Sequence, residues 1–196
     1  MPANAGVLST DRPARDRAVA ALVAAATELF AARGPDGVSL REIATRAGVN
    51  YGLIHQYVGS KDELLRLVIA QSTATTAVRF AQAAGVDEAL ELLQGPVGGD
   101  RPYPRLLAWA ILQGRDPGEL AGPSPALPRL IEMLPRPEIL DDLTDDPRLR
   151  AAAVAALTLG WSLFGSFVLK AAELEDVTPD EAQAAVQSLA RGIAGI

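Results

Sequence analysis

The residues able to do covalent or metal chemistry are few. The chain has one histidine, His55, and no cysteine. Disulfides, thiolate metal sites and cysteine nucleophiles are therefore excluded. A lone imidazole builds no histidine metal cage and makes a Ser-His-Asp triad improbable. The acids that could supply an acid–base pair are Asp100, Glu132 and Asp141 with Asp142. They fall in loop or surface contexts, where solvated charge is the better reading. No catalysis, cofactor or metal is expected. What remains is recognition chemistry in one short stretch: Tyr51, Gly52, His55 and Gln56. Glutamine pairs with adenine edges, tyrosine and histidine stack or hydrogen-bond to phosphate, and glycine admits a close backbone.

The elements that must position these side chains read as helices. Asp16–Ala32 places Val19, Val23, Ala26 and Phe30 on one face, and Gly34-Pro35 stops it. Ser39-Leu-Arg-Glu42 is a capping box. Behind it Leu40, Ile43, Ala44 and Ala47 share a face, and Gly48 follows as a C-terminal glycine. A short helix spans about 50–58, closed by Gly59. Ser60-Lys-Asp-Glu63 opens a longer one to about Phe80. Helix, capped short helix, tight turn and short helix form a helix-turn-helix order. With Ile54 and Val58 inward, Tyr51, Gly52, His55 and Gln56 face outward together. Further helices are expected at 87–94, 104–113, 128–134, 147–174 and 178–192, with 116–125 a Pro/Gly-rich loop. No strand alternation or repeat appears. The fold class is all-α, with about nine helices.

The runs Glu28-Leu-Phe-Ala-Ala-Arg-Gly34, Gly37-Val-Ser-Leu-Arg-Glu-Ile-Ala44, Ala47-Gly-Val49, Gly52, Tyr57 and Gly59-Ser-Lys-Asp-Glu-Leu64 resemble the DNA-binding domain of the TetR (tetracycline-repressor) family. The resemblance covers about residues 16–70. It implies that Ser39 and Arg41 meet phosphate near a helix start, and that Asn50 caps the recognition helix where Ser or Thr is usual. It also implies that Tyr51, Gly52, His55 and Gln56 read the groove, and that Tyr57 and Lys61 clamp the backbone. His55 stands where most members carry tyrosine, and Val58 where phenylalanine is usual. The implied domains are 1–61, with a basic arm over 1–15, for DNA, and 62–196 for a small-molecule effector and dimerisation.

The remaining features bear on partners. With 49% apolar and 21% charged residues the composition is that of a globular chain. Up to Lys61 seven basic residues face five acids, whereas the whole chain carries 18 against 24. That balance suits a local polyanion contact on an acidic protein. Arg12, Arg15 and Arg17 could reach a minor groove, although a frayed terminus is the preferred reading; Arg46 reads as solvated. Met1–Thr10 has neither a basic n-region nor an apolar h-region, so the cytoplasm is the expected compartment.

The uncharged stretch Ala151–Leu169 has a length near that of a bilayer span. The dimer reading is preferred, because Ala156, Gly160, Phe164, Phe167 and Ala171 follow a three-four spacing with small residues central. In the family the last two long helices pair with the partner subunit, so Val186 and Leu189 join the expected dimer interface. Phe80, Trp109, Trp161 and Phe164 are candidates for an apolar effector pocket, with core packing as the alternative. The resemblance implies a ligand-released repressor binding palindromic double-stranded DNA as a homodimer. An activator of the same family, or a membrane-anchored regulator using 151–169, is the alternative.

Overall fold

Cap signals in the sequence set the helix boundaries. The computed structural model describes residues 12–94, 102–122, 126–135 and 145–196. Among them are ten helices and no strand: α1 (Arg12–Arg33), α2 (Leu40–Ala47), α3 (Tyr51–Val58), α4 (Lys61–Gln82), α5 (Val86–Gln94), α6 (Pro102–Leu112), α7 (Pro117–Ala121), α8 (Ala126–Met133), α9 (Pro147–Ala171) and α10 (Pro179–Ala194). Asp100, Asp141, Asp142 and residues 1–11 of the expected arm lie outside the described residues. Arg12 and Arg15 do not lie in an arm: α1 begins at Arg12 and holds both on its exposed first turns.

The chain forms two compact units. The first takes in described residues up to Gln71 and Leu106–Ala121. Here α1 packs on α2 and α3, and α2 on α3. The α1 face anticipated from its spacing is real: Val23, Ala26 and Phe30 are buried, with Val19 half-buried. Ile43 and Ile54 are fully buried. The turn between them depends on Gly48 at φ 66°, ψ 26°. There the Gly48 N–H donates to the Thr45 carbonyl at 3.2 Å and Val49 N–H to the Ala44 carbonyl at 3.0 Å, consuming two orphan acceptors of α2.

A tenth helix, α7, occupies the expected Pro/Gly loop. The Asp116 carboxylate accepts from the Gly118 N–H at 2.7 Å, and Pro117 sits at the first helical position, where a missing N–H costs nothing. Asp-Pro here acts as it does at Asp146-Pro147, which opens α9 with Arg148 N–H donating to Asp146 at 2.8 Å.

The second unit takes in Ser72–Arg105 and Gly122–Ile196. Its core gathers Phe80, Leu90, Leu130, Ala151, Val154, Ala190 and Ala194 from α4, α5, α8, α9 and α10. The Arg150 guanidinium fastens two segments, donating to the carbonyls of Ile193 and Ala194 at the end of α10 and of Pro135 after α8. Helix α9 ends at Ala171, short of the expected 174, because Glu173 adopts φ 55° and the Leu174 N–H turns back to the Leu169 carbonyl.

Two left-handed residues make opposite predictions. Gly48→Ala places a Cβ in a conformation that costs L-residues about 1 kcal/mol, so the melting temperature should fall. Glu173→Gly removes a strain of the same kind and should raise it. Thermal unfolding of the full chain measures both; unchanged or same-sign shifts would contradict the assignment.

Candidate nucleic-acid interface

The outward face of the first unit is built by two caps. In α2 the Ser39 hydroxyl accepts from the Glu42 N–H at 3.2 Å, and the Glu42 carboxylate accepts from the Ser39 N–H at 2.9 Å. Arg33 adds a third bond to Glu42 at 2.8 Å. These donors, led by the Ser39 backbone and then the Arg33 side chain, hold the Glu42 carboxyl down from 4.5 to about 2. In α3 the Asn50 side-chain oxygen accepts from the Gly52 N–H at 2.9 Å, so asparagine starts the helix as serine would.

With Ile54 and Val58 buried, Tyr51, Gly52, His55 and Gln56 all come to the surface of α3. Ser39, Arg41 and Asn50 are exposed beside them, while Tyr57 and Lys61 are half-buried. The Arg41 guanidinium lies over the Tyr51 ring, 5.1 Å from its centroid, and Tyr51 meets the His55 ring edge-on at 6.3 Å. Nδ1 of His55 donates to the Gly59 carbonyl at 3.1 Å. Lys61 Nζ reaches the Val38 carbonyl at 3.4 Å, tying the start of α4 to the residue ahead of the α2 cap. Neither the Arg41 stack nor the Gly59 bond has a sequence signature: one crosses the turn between helices, and the other needs the φ of 70° at Gly59.

Ion pairing sorts the basic residues of this unit. Arg33 is paired with Glu42, and Arg46 with Glu28 at 2.6 Å. Arg46 is exposed, in keeping with a solvated position, and its charge is paired with Glu28. No ion pair involves Arg41 or Lys61 among the described residues. Arg41 and Lys61, on either side of α3 in sequence, thus have no acidic partner among the described residues. Three converging metal-ligating side chains do not occur among the described residues.

Residues 22–68 match the family model for bacterial regulatory proteins, tetR family. Over 189 residues the chain is 35% identical to the HTH-type transcriptional repressor Rv3405c of Mycobacterium tuberculosis, covering 90% of this chain and 94% of that relative. The chain belongs to the TetR family of helix-turn-helix transcriptional regulators. The HTH-type transcriptional regulator Mb3439c of Mycobacterium bovis matches at the same identity and coverage. Among solved structures, Salmonella enterica GusR shares the fold at TM-score 0.61 and 17% identity, covering 96% of this chain and 99% of that one. A Rhodococcus transcriptional regulator, RHA1_ro04179, does so at TM-score 0.60 and 20% identity, covering 92% and 96%.

In this TetR-family chain the residues expected to line an effector pocket divide between the two units. Trp109 belongs to the first unit, with Arg115 5.5 Å over its ring and the α-carbon of Gly34 so near that a Cβ there would meet the indole at 3.3 Å. Arg115 in turn binds Asp62 at 3.1 Å. Phe80, Trp161 and Phe164 belong to the second unit, and they differ in setting. Phe80 is buried in its core, Trp161 donates from Nε1 to Gln183 at 3.1 Å, and Phe164 is 59% exposed.

The expected dimer seam is two-sided along α9. Ala151, Val154, Thr158 and Gly165 are buried. Ala156, Phe164, Phe167 and Ala171 are exposed and Gly160 half-buried, with Leu189 of α10 also exposed. Val186 is only 6% exposed and stands behind that surface rather than on it, because the face of α10 carrying Ala182, Val186 and Ala190 turns inward.

The lowered Glu42 carboxyl fixes a direction of pH dependence. A group depressed on folding favours the native state above its unfolded value near 4.5, and that contribution drains as pH falls towards 2. Glu42→Gln should therefore flatten the decline in melting temperature between about pH 4.5 and 2.5. Parallel wild-type and variant curves over that window would show that the capping carboxylate contributes no linkage.

Proposed function

We propose that the protein is a homodimeric repressor that binds a palindromic operator and leaves it when a small, largely apolar molecule binds the second unit. The observation that carries this reading is the exposed face of α3, where Tyr51, Gly52, His55 and Gln56 stand between two cations without acidic partners, Arg41 and Lys61. Ser39 and Arg41 meet one phosphate run at the start of α2, and Tyr57 and Lys61 meet another. Gln56 supplies a base-edge contact. Repression is supported by the mycobacterial relative named as a repressor. Action is by binding, without catalysis, in the cytoplasm.

Dimerisation is supported by the apolar surface of Phe164, Phe167 and Leu189, at 59%, 71% and 61% exposure. A twofold dimer presents two recognition helices about 34 Å apart to successive major grooves. The effector shifts this spacing only through its different affinities for the two conformations. The same exposure favours a second reading, because α9 is long and apolar enough to cross a membrane and only 17% of its most apolar window is buried. Size and fractionation separate the two.

Gln56→Ala should relax base preference at one operator position, at a cost of about 1–3 kcal/mol. Lys61→Ala should weaken all sequences alike and reduce the salt slope by about one. Fluorescence anisotropy across a salt series checks both, and an unchanged slope in Lys61→Ala removes the phosphate role. Phe167→Glu with Leu189→Glu should convert a detergent-free dimer to monomer in light scattering. A wild-type protein recovered only with bilayers would replace the dimer by the membrane reading.

A further inference from the structure

Resting on the operator-binding reading above, we propose that His55 reads an exocyclic amino group, adenine N6 or cytosine N4, in the major groove, because α3's own terminus fixes the imidazole tautomer. Gly59, at φ 70° and ψ −129°, ends α3 by donating its N–H to the His55 carbonyl at 3.1 Å. The same left-handed turn brings the Gly59 carbonyl back under the side chain, where His55 Nδ1 lies 3.1 Å away. A carbonyl oxygen only accepts, so Nδ1 must carry the proton. In the neutral ring Nε2 is then left with a lone pair and no hydrogen. No protein group bonds Nε2 among the described residues, and the residue is exposed.

The ring is also steadied from its own helix. Tyr51, one turn earlier, meets it edge-on at 6.3 Å, and Tyr51 is itself covered by Arg41. Gly59 cannot easily be exchanged for another residue, since its φ of 70° is a backbone conformation that L side chains rarely adopt. The histidine is therefore held as an outward-facing acceptor rather than a free rotor.

An acceptor discriminates among base edges. In the major groove adenine and cytosine display amino donors, whereas guanine O6 and N7 and thymine O4 are acceptors. Neutral His55 is satisfied by the first pair and opposed by the second. A tyrosine hydroxyl at this place could serve either kind, because it both donates and accepts. The substitution thus narrows the chemistry read at one position.

The test combines selection, atom deletion and spectroscopy at pH 8 on the full-length protein. Binding-site selection should return one position dominated by A or C, and that dominance should vanish for His55→Ala. Replacing that base by its analogue lacking the amino group (purine for adenine, 2-pyrimidinone for cytosine) should weaken wild type about tenfold and leave His55→Ala unchanged. The analogue that has the effect tells adenine from cytosine. Long-range ¹H–¹⁵N spectra should show the proton on Nδ1. An Nε2–H tautomer, an effect of the analogue persisting in His55→Ala, or a logo untouched by His55→Ala would overturn the proposal. A wild type that selects no sequence at all would instead overturn operator binding.

Discussion

The geometry of the outward face of α3 depends on one left-handed residue. The turn at Gly48 returns two N–H groups to the last carbonyls of α2, which lets α3 start with only three residues between the helices. Ile43 of α2 and Ile54 of α3 are both fully inaccessible to water where the two helices pack. Once Ile54 and Val58 are inward, the 3.6-residue period leaves Tyr51, Gly52, His55 and Gln56 no other side. A β-carbon at Gly48 would meet no neighbour within 4 Å, so the constraint there is backbone conformation rather than space.

Charge on this surface is governed by which acids are already engaged. Glu42 accepts from the Ser39 backbone and from Arg33, and Glu28 accepts from Arg46. Each of these acids withdraws a cation from solution while organising a helix end or a helix pair. The exposed ion pairs add little to stability by themselves. Their effect is to leave Arg41 and Lys61 as the cations flanking α3 in sequence without an acidic partner among the described residues.

Local rules carried most of the architecture. Ser39 with Glu42, Asn50, Asp146-Pro147 and Thr178 with Glu181 are complete short-range signals, and each caps a helix as expected. The outward set on α3 was legible because two buried positions one turn apart determine the rest of a helical wheel. Misreadings arose where a signal has two meanings. Asp116-Pro117-Gly118 reads as a loop by composition, yet the carboxylate and the proline together start α7. Glu173 ends α9 in a conformation that sequence assigns to glycine or asparagine. Trp109 offered an apolar ring and nothing to say which unit it joins; only long-range packing against Gly34 and Arg115 decides that. Val186 shows the same limit, since spacing gives the stripe on α10 but not which neighbour claims it.

The stripe along α9 has a profile as well as a polarity. Ala156 and Gly160 carry small side chains, and one to two turns beyond Gly160 the rings of Phe164 and Phe167 are exposed on the same stripe. In the proposed dimer a mate would have to set its rings against these small residues, and apolar surfaces of other shapes would fit less well. Selectivity among related chains in one cell would then come from contour, with no charged residue needed at the centre of the contact.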